Sequence, residues 1–164
     1  RQGEIDGAWV PEPWASRLVV EGGGVVLLDE RTIWPEGDFV TAHIIVSTPF
    51  LMERPEIVRR WLDAHVDITD WQNRNPEEAA ELLNEEIERL TGKALPEQVL
   101  TMALSNMRST WDPVASSLYA SAMAAWQTGF LDDEPDLEGI YDLSILNEVL
   151  TDKGFETVEV PVGP

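Results

Sequence analysis

Five residues in this chain have the types and spacing to hold a small molecule: Trp9, Glu12, Trp14, Thr41 and His43. The first three share one stretch, "IDGAWVPEPWAS" (Ile5–Ser16), in which two tryptophans bracket a Pro-Glu-Pro. Proline locks φ, so Pro11 and Pro13 forbid a helix interior and stiffen the corner. A stiff corner presents the rings of Trp9 and Trp14 with little ordering cost on binding. Glu12, between them, offers a carboxylate that can accept from an amine or from backbone N–H groups. The competing reading is packing, since large aromatic side chains commonly lie beneath loops. Thr41 and His43, in "FVTAHIIVS", offer a hydroxyl and an imidazole that can both donate to an oxyanion. Alternation along a strand puts them on the same side; the competing reading is a surface threonine and a structural histidine.

The remaining polar groups point away from catalysis and from metals. His65 falls on the apolar face of a helix and reads as a core histidine. With two histidines and no cysteine, disulfides and thiolate sites are excluded and a structural zinc site is not expected. The acidic stretch Leu131–Gly139 lacks the glycine of a calcium loop and reads as a solvated loop. Gly22, Gly23 and Gly24 form a turn, with no G-x-G-x-x-G around them, and neither a phosphate loop nor a nucleophile elbow is present. Arg108 precedes Asp112-Pro113, a helix start whose N–H groups can hold an anion; a plain capped connection explains the same residues. No catalytic residue, no metal and no cofactor are therefore expected. The net charge of −20, from 31 acids against 11 bases, repels phosphate backbones and argues against a nucleic-acid partner. The acids are spread over helix faces, which suits solubility. No run of 18 apolar residues occurs, so no membrane-spanning helix is expected.

The elements that must position these residues change character at Pro49. Before it, Ile5–Val10, Leu18–Val20, Val25–Leu28 and Ala42–Ser47 are short, β-branched and bounded by Gly or Pro, which predicts strands. Their nearly unbroken apolar character suits strands covered on both faces. After it the period is helical. Thr48 caps a short turn, and Pro55 opens a long helix with Ile57, Val58, Trp61, Leu62, His65 and Ile68 at three-four spacing. Asn75 and Glu78 form a capping box for a helix that stops at Thr91-Gly92. Pro96 opens a third helix, Asp112-Pro113 a fourth ending at Gly129, and Asp142 caps a last one through Leu150. A few strands followed by about five helices cannot complete a sheet covered on both faces. Partner strands are expected in sequence before Arg1, which makes the chain the C-terminal half of something larger.

Four stretches carry a resemblance: "IDGAWVPEPWAS", "GDFVTAHIIVSTPFLMERPEIVRRWLDAHV", "WQNRNPEEAAELLNEEIERLTGKALP" and "GIYDLSILNEVL". In order and spacing, from about Gly3 to Leu150, the chain resembles the extracytoplasmic substrate-binding proteins of ABC importers for aliphatic sulfonates, taurine and nitrate. The resemblance implies an α/β fold, the C-terminal half of a type II periplasmic-binding-protein fold. It implies that residues 1–47 are the end of the second lobe and the return strand. Residues 48–154 would be a helical segment packing mainly on the first lobe, and 155–164 a loose tail. It implies a binding protein rather than an enzyme, at the outer surface or in the periplasm, whose partners are a small anionic organic ligand and an ABC permease. The cleft-facing turn would carry Trp9. An enzyme of related fold, in thiamine-pyrimidine synthesis or desulfination, is the alternative; such enzymes use a cysteine or a dedicated histidine. Uncovered apolar faces would make the isolated chain self-associate, as a swapped dimer or otherwise.

Overall fold

A computed structural model describes residues 3–160. Among them there are seven α-helices, two short 3₁₀ turns and no strand. The helices are α1 (Trp14–Val20), α2 (Thr48–Glu53), α3 (Pro55–Arg74), α4 (Pro76–Thr91), α5 (Glu97–Ser105), α6 (Ala115–Gln127) and α7 (Ser144–Asp152).

This corrects the α/β expectation, including the type II periplasmic-binding-protein fold with its N-terminal strands. Ile5–Val10, Val25–Leu28 and Ala42–Ser47 are irregular. Their residues have β propensity but no ladder partner, and a strand exists only as half of a pair. Neither face is covered: Leu27 is 97% exposed and Ile45 86%. Leu18–Val20 is not β at all, because it completes α1. The helix ends where Gly22 and Gly24 N–H groups both turn back to the Leu18 carbonyl, at 3.1 and 3.0 Å. A Cβ at Gly22 would sit 2.5 Å from that oxygen, so the close turn needs glycine there.

The helical half follows the sequence more closely, with shifts at the caps. Ser47 rather than Thr48 caps α2, its Oγ accepting from Phe50 N. The Asn75 box does not form: the Asn75 amide donates back to the Trp71 carbonyl at 2.8 Å, and no side chain caps α4. Gly92, left-handed at φ 79°, ends α4 as expected of a C-terminal glycine. α6 begins at Ala115, two residues beyond Pro113, because the Asp112 carboxylate takes Val114 N at 2.7 Å in a turn of its own. Asp142 holds the Ser144 N–H at the start of α7.

The chain forms two compact units. The first comprises the chain up to Leu28 with Asp70–Ser109. Here α1 and α4 both pack on α5, with Val99, Ala103 and Ser16 buried. Asn84 closes the α4–α5 connection by bonding both the N–H (2.8 Å) and the carbonyl (3.0 Å) of Leu95.

The second unit comprises Asp29–Thr69 with the chain from Thr110 on. Its core is Val66 of α3 against Leu146, Val149 and Leu150 of α7, flanked by Leu62, Trp111, Leu143, Phe155 and Val158. The rings of Trp111 and Phe155 lie 4.9 Å apart, and Asn147 bonds Val158 through both its N–H and its carbonyl. Outside this core, Lys153 reaches Asp63 (3.0 Å) and Asp67 (2.6 Å), and Arg59 reaches Glu148 (3.1 Å) and Asp152 (2.5 Å). These pairs tie α3 to α7. No helix among the described residues is long and apolar enough to cross a membrane.

Candidate functional site

Trp9, Glu12 and Trp14 fall in the first unit, Thr41 and His43 in the second. The corner at Pro11–Pro13, which contains a cis Glu12–Pro13 bond, leads directly into α1. Trp14 N and Ala15 N donate to the Pro11 carbonyl, and Arg17 N donates to that of Pro13. Glu12 is committed on both oxygens. One accepts from Ser16 N at 3.1 Å, satisfying an otherwise orphaned donor of the first turn of α1; the other accepts from Asn106 Nδ2 at 2.8 Å. Its carboxylate thus caps α1 and ties the corner to the end of α5. The Trp14 ring lies under the Arg17 guanidinium, 4.8 Å from its centroid, and Arg17 is held in turn by Glu21 at 3.1 Å. Trp9 is 70% exposed.

The second cluster forms where residues 40–43 run past the start of α6. Val40 N donates to Ser117 Oγ at 3.0 Å, and Ser117 Oγ donates to the Val114 carbonyl at 2.8 Å. His43 Nε2 then lies 3.2 Å from the Pro113 carbonyl and 2.9 Å from the Tyr141 hydroxyl. A carbonyl only accepts, so this contact favours the tautomer with the proton on Nε2. The His43 and Tyr141 rings are 5.6 Å apart, and Tyr119 meets Tyr141 edge-on at 6.2 Å. Burial, followed by the nearby Tyr119 and Asp112, pushes the Tyr141 hydroxyl above its usual range, so it keeps its proton. Thr41 is exposed on the same stretch.

Val114, at the turn into α6, has φ 49° and ψ 53°. This left-handed conformation is strained for a β-branched residue. It is held by the bond from its N–H to Asp112 and by those from Ser117 to its carbonyl.

Tyr141 and Asn106 were not among the sequence candidates. Each acts through a partner more than ninety positions away, |i−j| 98 for Tyr141–His43 and 94 for Asn106–Glu12. No local pattern announces such pairs. His65, half-buried on α3, has its imidazole pushed below its ordinary value by burial. Shallow depressions run along α5 (Glu97, Thr101, Ser105) and along α7 (Ser144, Asn147, Thr151) and contain none of the five candidates. No group of three or more metal-ligating side chains occurs among the described residues.

No curated protein matches the chain, and no solved structure does. The model of the NMT1-like family matches residues 1–84. That family includes both binding proteins and enzymes, and the matched stretch carries all five candidates. With 84 of its 164 residues matched, the chain belongs to the NMT1-like family.

Proposed function

We propose that the chain serves an ABC importer as its extracytoplasmic solute-binding component, capturing a small organosulfonate or similar anion and delivering it to the permease. The observation that carries this reading is the family match over residues 1–84, which spans the corner and the His43 stretch. Trp9, exposed on a corner that Glu12 anchors, can cover the alkyl part of such a ligand. Glu12 contributes by holding the corner, since both of its oxygens are engaged. Thr41 and His43 belong to the other unit; the Thr41 hydroxyl is exposed and can donate to an oxyanion, while the His43 imidazole is engaged by the Pro113 carbonyl and the Tyr141 hydroxyl. The charge of −20 does not forbid this, because a bound anion feels mainly its contact shell while the far field is screened.

The test is calorimetric titration of the protein, as its gene encodes it, with taurine, an alkanesulfonate and nitrate, for the wild type and for Trp9→Ala. Saturable binding of at least one is expected. Trp9→Ala should lose apolar contact worth about 1–3 kcal/mol, roughly tenfold to a hundredfold in affinity. No binding of any of the three would overturn the ligand class, and normal binding by Trp9→Ala would remove Trp9 from the site.

A second reading, an enzyme of the family, is favoured by one observation: the His43–Tyr141 hydrogen bond, a pair of groups able to pass a proton. Recovery of each ligand chemically unchanged after incubation supports the binding protein; conversion that His43→Gln abolishes supports the enzyme.

A further inference from the structure

α3 is amphipathic twice over. One side carries Leu62, Val66 and the pairs to α7 already described. The opposite side carries Ile57, Trp61, Ala64 and Ile68 in steps of four, three and four. That is the heptad spacing of a helix–helix seam, whereas a single core-facing stripe would explain only the first side. All four are exposed, Ile57 at 40%, Trp61 at 61% and Ile68 at 55%. They lie within one compact unit. Trp61 sits one turn from Ala64, so a bulky knob adjoins a small hole.

The charges beside this stripe suggest what covers it. One flank carries Arg60 and Asp67, seven residues apart and so one heptad apart; Asp67 lies at the border with the α7-facing side, where its Oδ1 already meets Lys153 Nζ at 2.6 Å. When two identical helices pack antiparallel about a two-fold axis near Ala64, the equivalent flanks meet. Arg60 of each copy then faces Asp67 of the other, so opposite charges meet twice. In a parallel pair these flanking positions face the opposite flank, occupied by Val58 and His65. The seam is close to neutral within a chain of charge −20, and so it is a place where two such chains can approach.

We propose that the Ile57–Trp61–Ala64–Ile68 face of α3 is a self-association surface, on which a second copy of this chain docks antiparallel about Ala64 with reciprocal Arg60–Asp67 pairs. This goes beyond the solute-binding reading and does not depend on it.

The chain has no cysteine, so an introduced thiol is unique. Sedimentation equilibrium of the wild-type protein should show a monomer–dimer equilibrium. Under mild oxidation Ala64→Cys should form a disulfide-linked dimer, because residues on a two-fold axis bring their Cβ atoms within bonding reach. Glu81→Cys, on α4, should not. Trp61→Glu should weaken association at least about tenfold. Because that variant places a charge on a tryptophan site, circular dichroism must show it folded.

Charge reversal is the second measurement and leaves the apolar stripe intact. Arg60→Asp should weaken association by setting carboxylates opposite Asp67, and Arg60→Asp combined with Asp67→Arg should restore it, with circular dichroism showing that loss of the Asp67–Lys153 pair leaves the double variant folded. A wild-type monomer at all concentrations overturns the proposal. So does a dimer that Ala64→Cys fails to link, or whose affinity ignores both charge variants.

Discussion

Glu12 shows how a residue can have the chemistry foreseen for it and a different use. Its carboxylate accepts from N–H groups, but those donors are Ser16 N and Asn106 Nδ2. Truncation therefore tests the fold of the corner. Glu12→Ala should destabilise the protein by about 1–2 kcal/mol, through a lost cap and a lost charged hydrogen bond, seen as a lower midpoint in urea. Restoring one acceptor with Glu12→Gln should recover part of that loss.

His65 gives a pH dependence with a definite sign. Burial holds its imidazole below the ordinary value of 6.5, so the folded chain disfavours the charged form. Below that ordinary value the unfolded chain binds more protons than the folded one. The stability linked to His65 is thus fully present above about pH 6.5 and declines as the pH falls through that value toward the folded one. Melting curves between about pH 7 and 5 should slope downward toward acid, and His65→Gln should flatten that slope. An unchanged slope in the variant would place the proton uptake elsewhere.

At the scale of elements, the second unit depends on α3 and α7. Leu150 is fully buried between them, and Leu150→Ala should cost about 2–5 kcal/mol in a denaturant titration. Lys153→Met should cost much less, and the difference should shrink with added salt, because its partners Asp63 and Asp67 are largely exposed.

The helices were legible in the sequence because their causes are local: three-four spacing in α3, Pro55 and Pro76 at starts, Gly92 at a stop. The caps were less so, since Asn75 could bond forward into α4 or back to Trp71, and took the second. The strands were misread for a different reason. "VVLL" and "HIIVS" have the composition of strands, but pairing requires another segment at the right distance, and among the described residues none pairs with them. Likewise the corner was visible as stiff from Pro11 and Pro13, while what holds it, Asn106 at the far end of α5, was not.

At the scale of the molecule, a small core coexists with a large exposed apolar surface. Among the described residues eight hydrophobic side chains are buried, whereas Val25, Leu27, Ile45, Met52 and Phe130 all stand well out of their surroundings. Net charge limits indiscriminate association of such a surface, because like-charged copies repel. The sequence pI is about 4.2. Static light scattering should therefore show little aggregation at neutral pH and a steep rise as the pH approaches that value. Constant scattering down to the pI would mean that the apolar surface is already covered in solution. The same charge masks the α3 seam in the overall composition, because the seam residues occupy one helix face, opposite the side that meets α7.

The irregular "VVLL" stretch after the glycine turn has a consequence for how the protein meets a protease. Endopeptidases thread their substrates as a single unpaired strand, and Val25–Leu28 already has that form, with Leu27 open on nearly all sides. A brief digestion with chymotrypsin should cut after Leu27 or Leu28 before it cuts any helix. The released N-terminal piece contains Glu12 and α1, which remain fastened to Asn106 and α5. The nicked molecule should then elute as one species from a native sizing column and separate into two only when denatured.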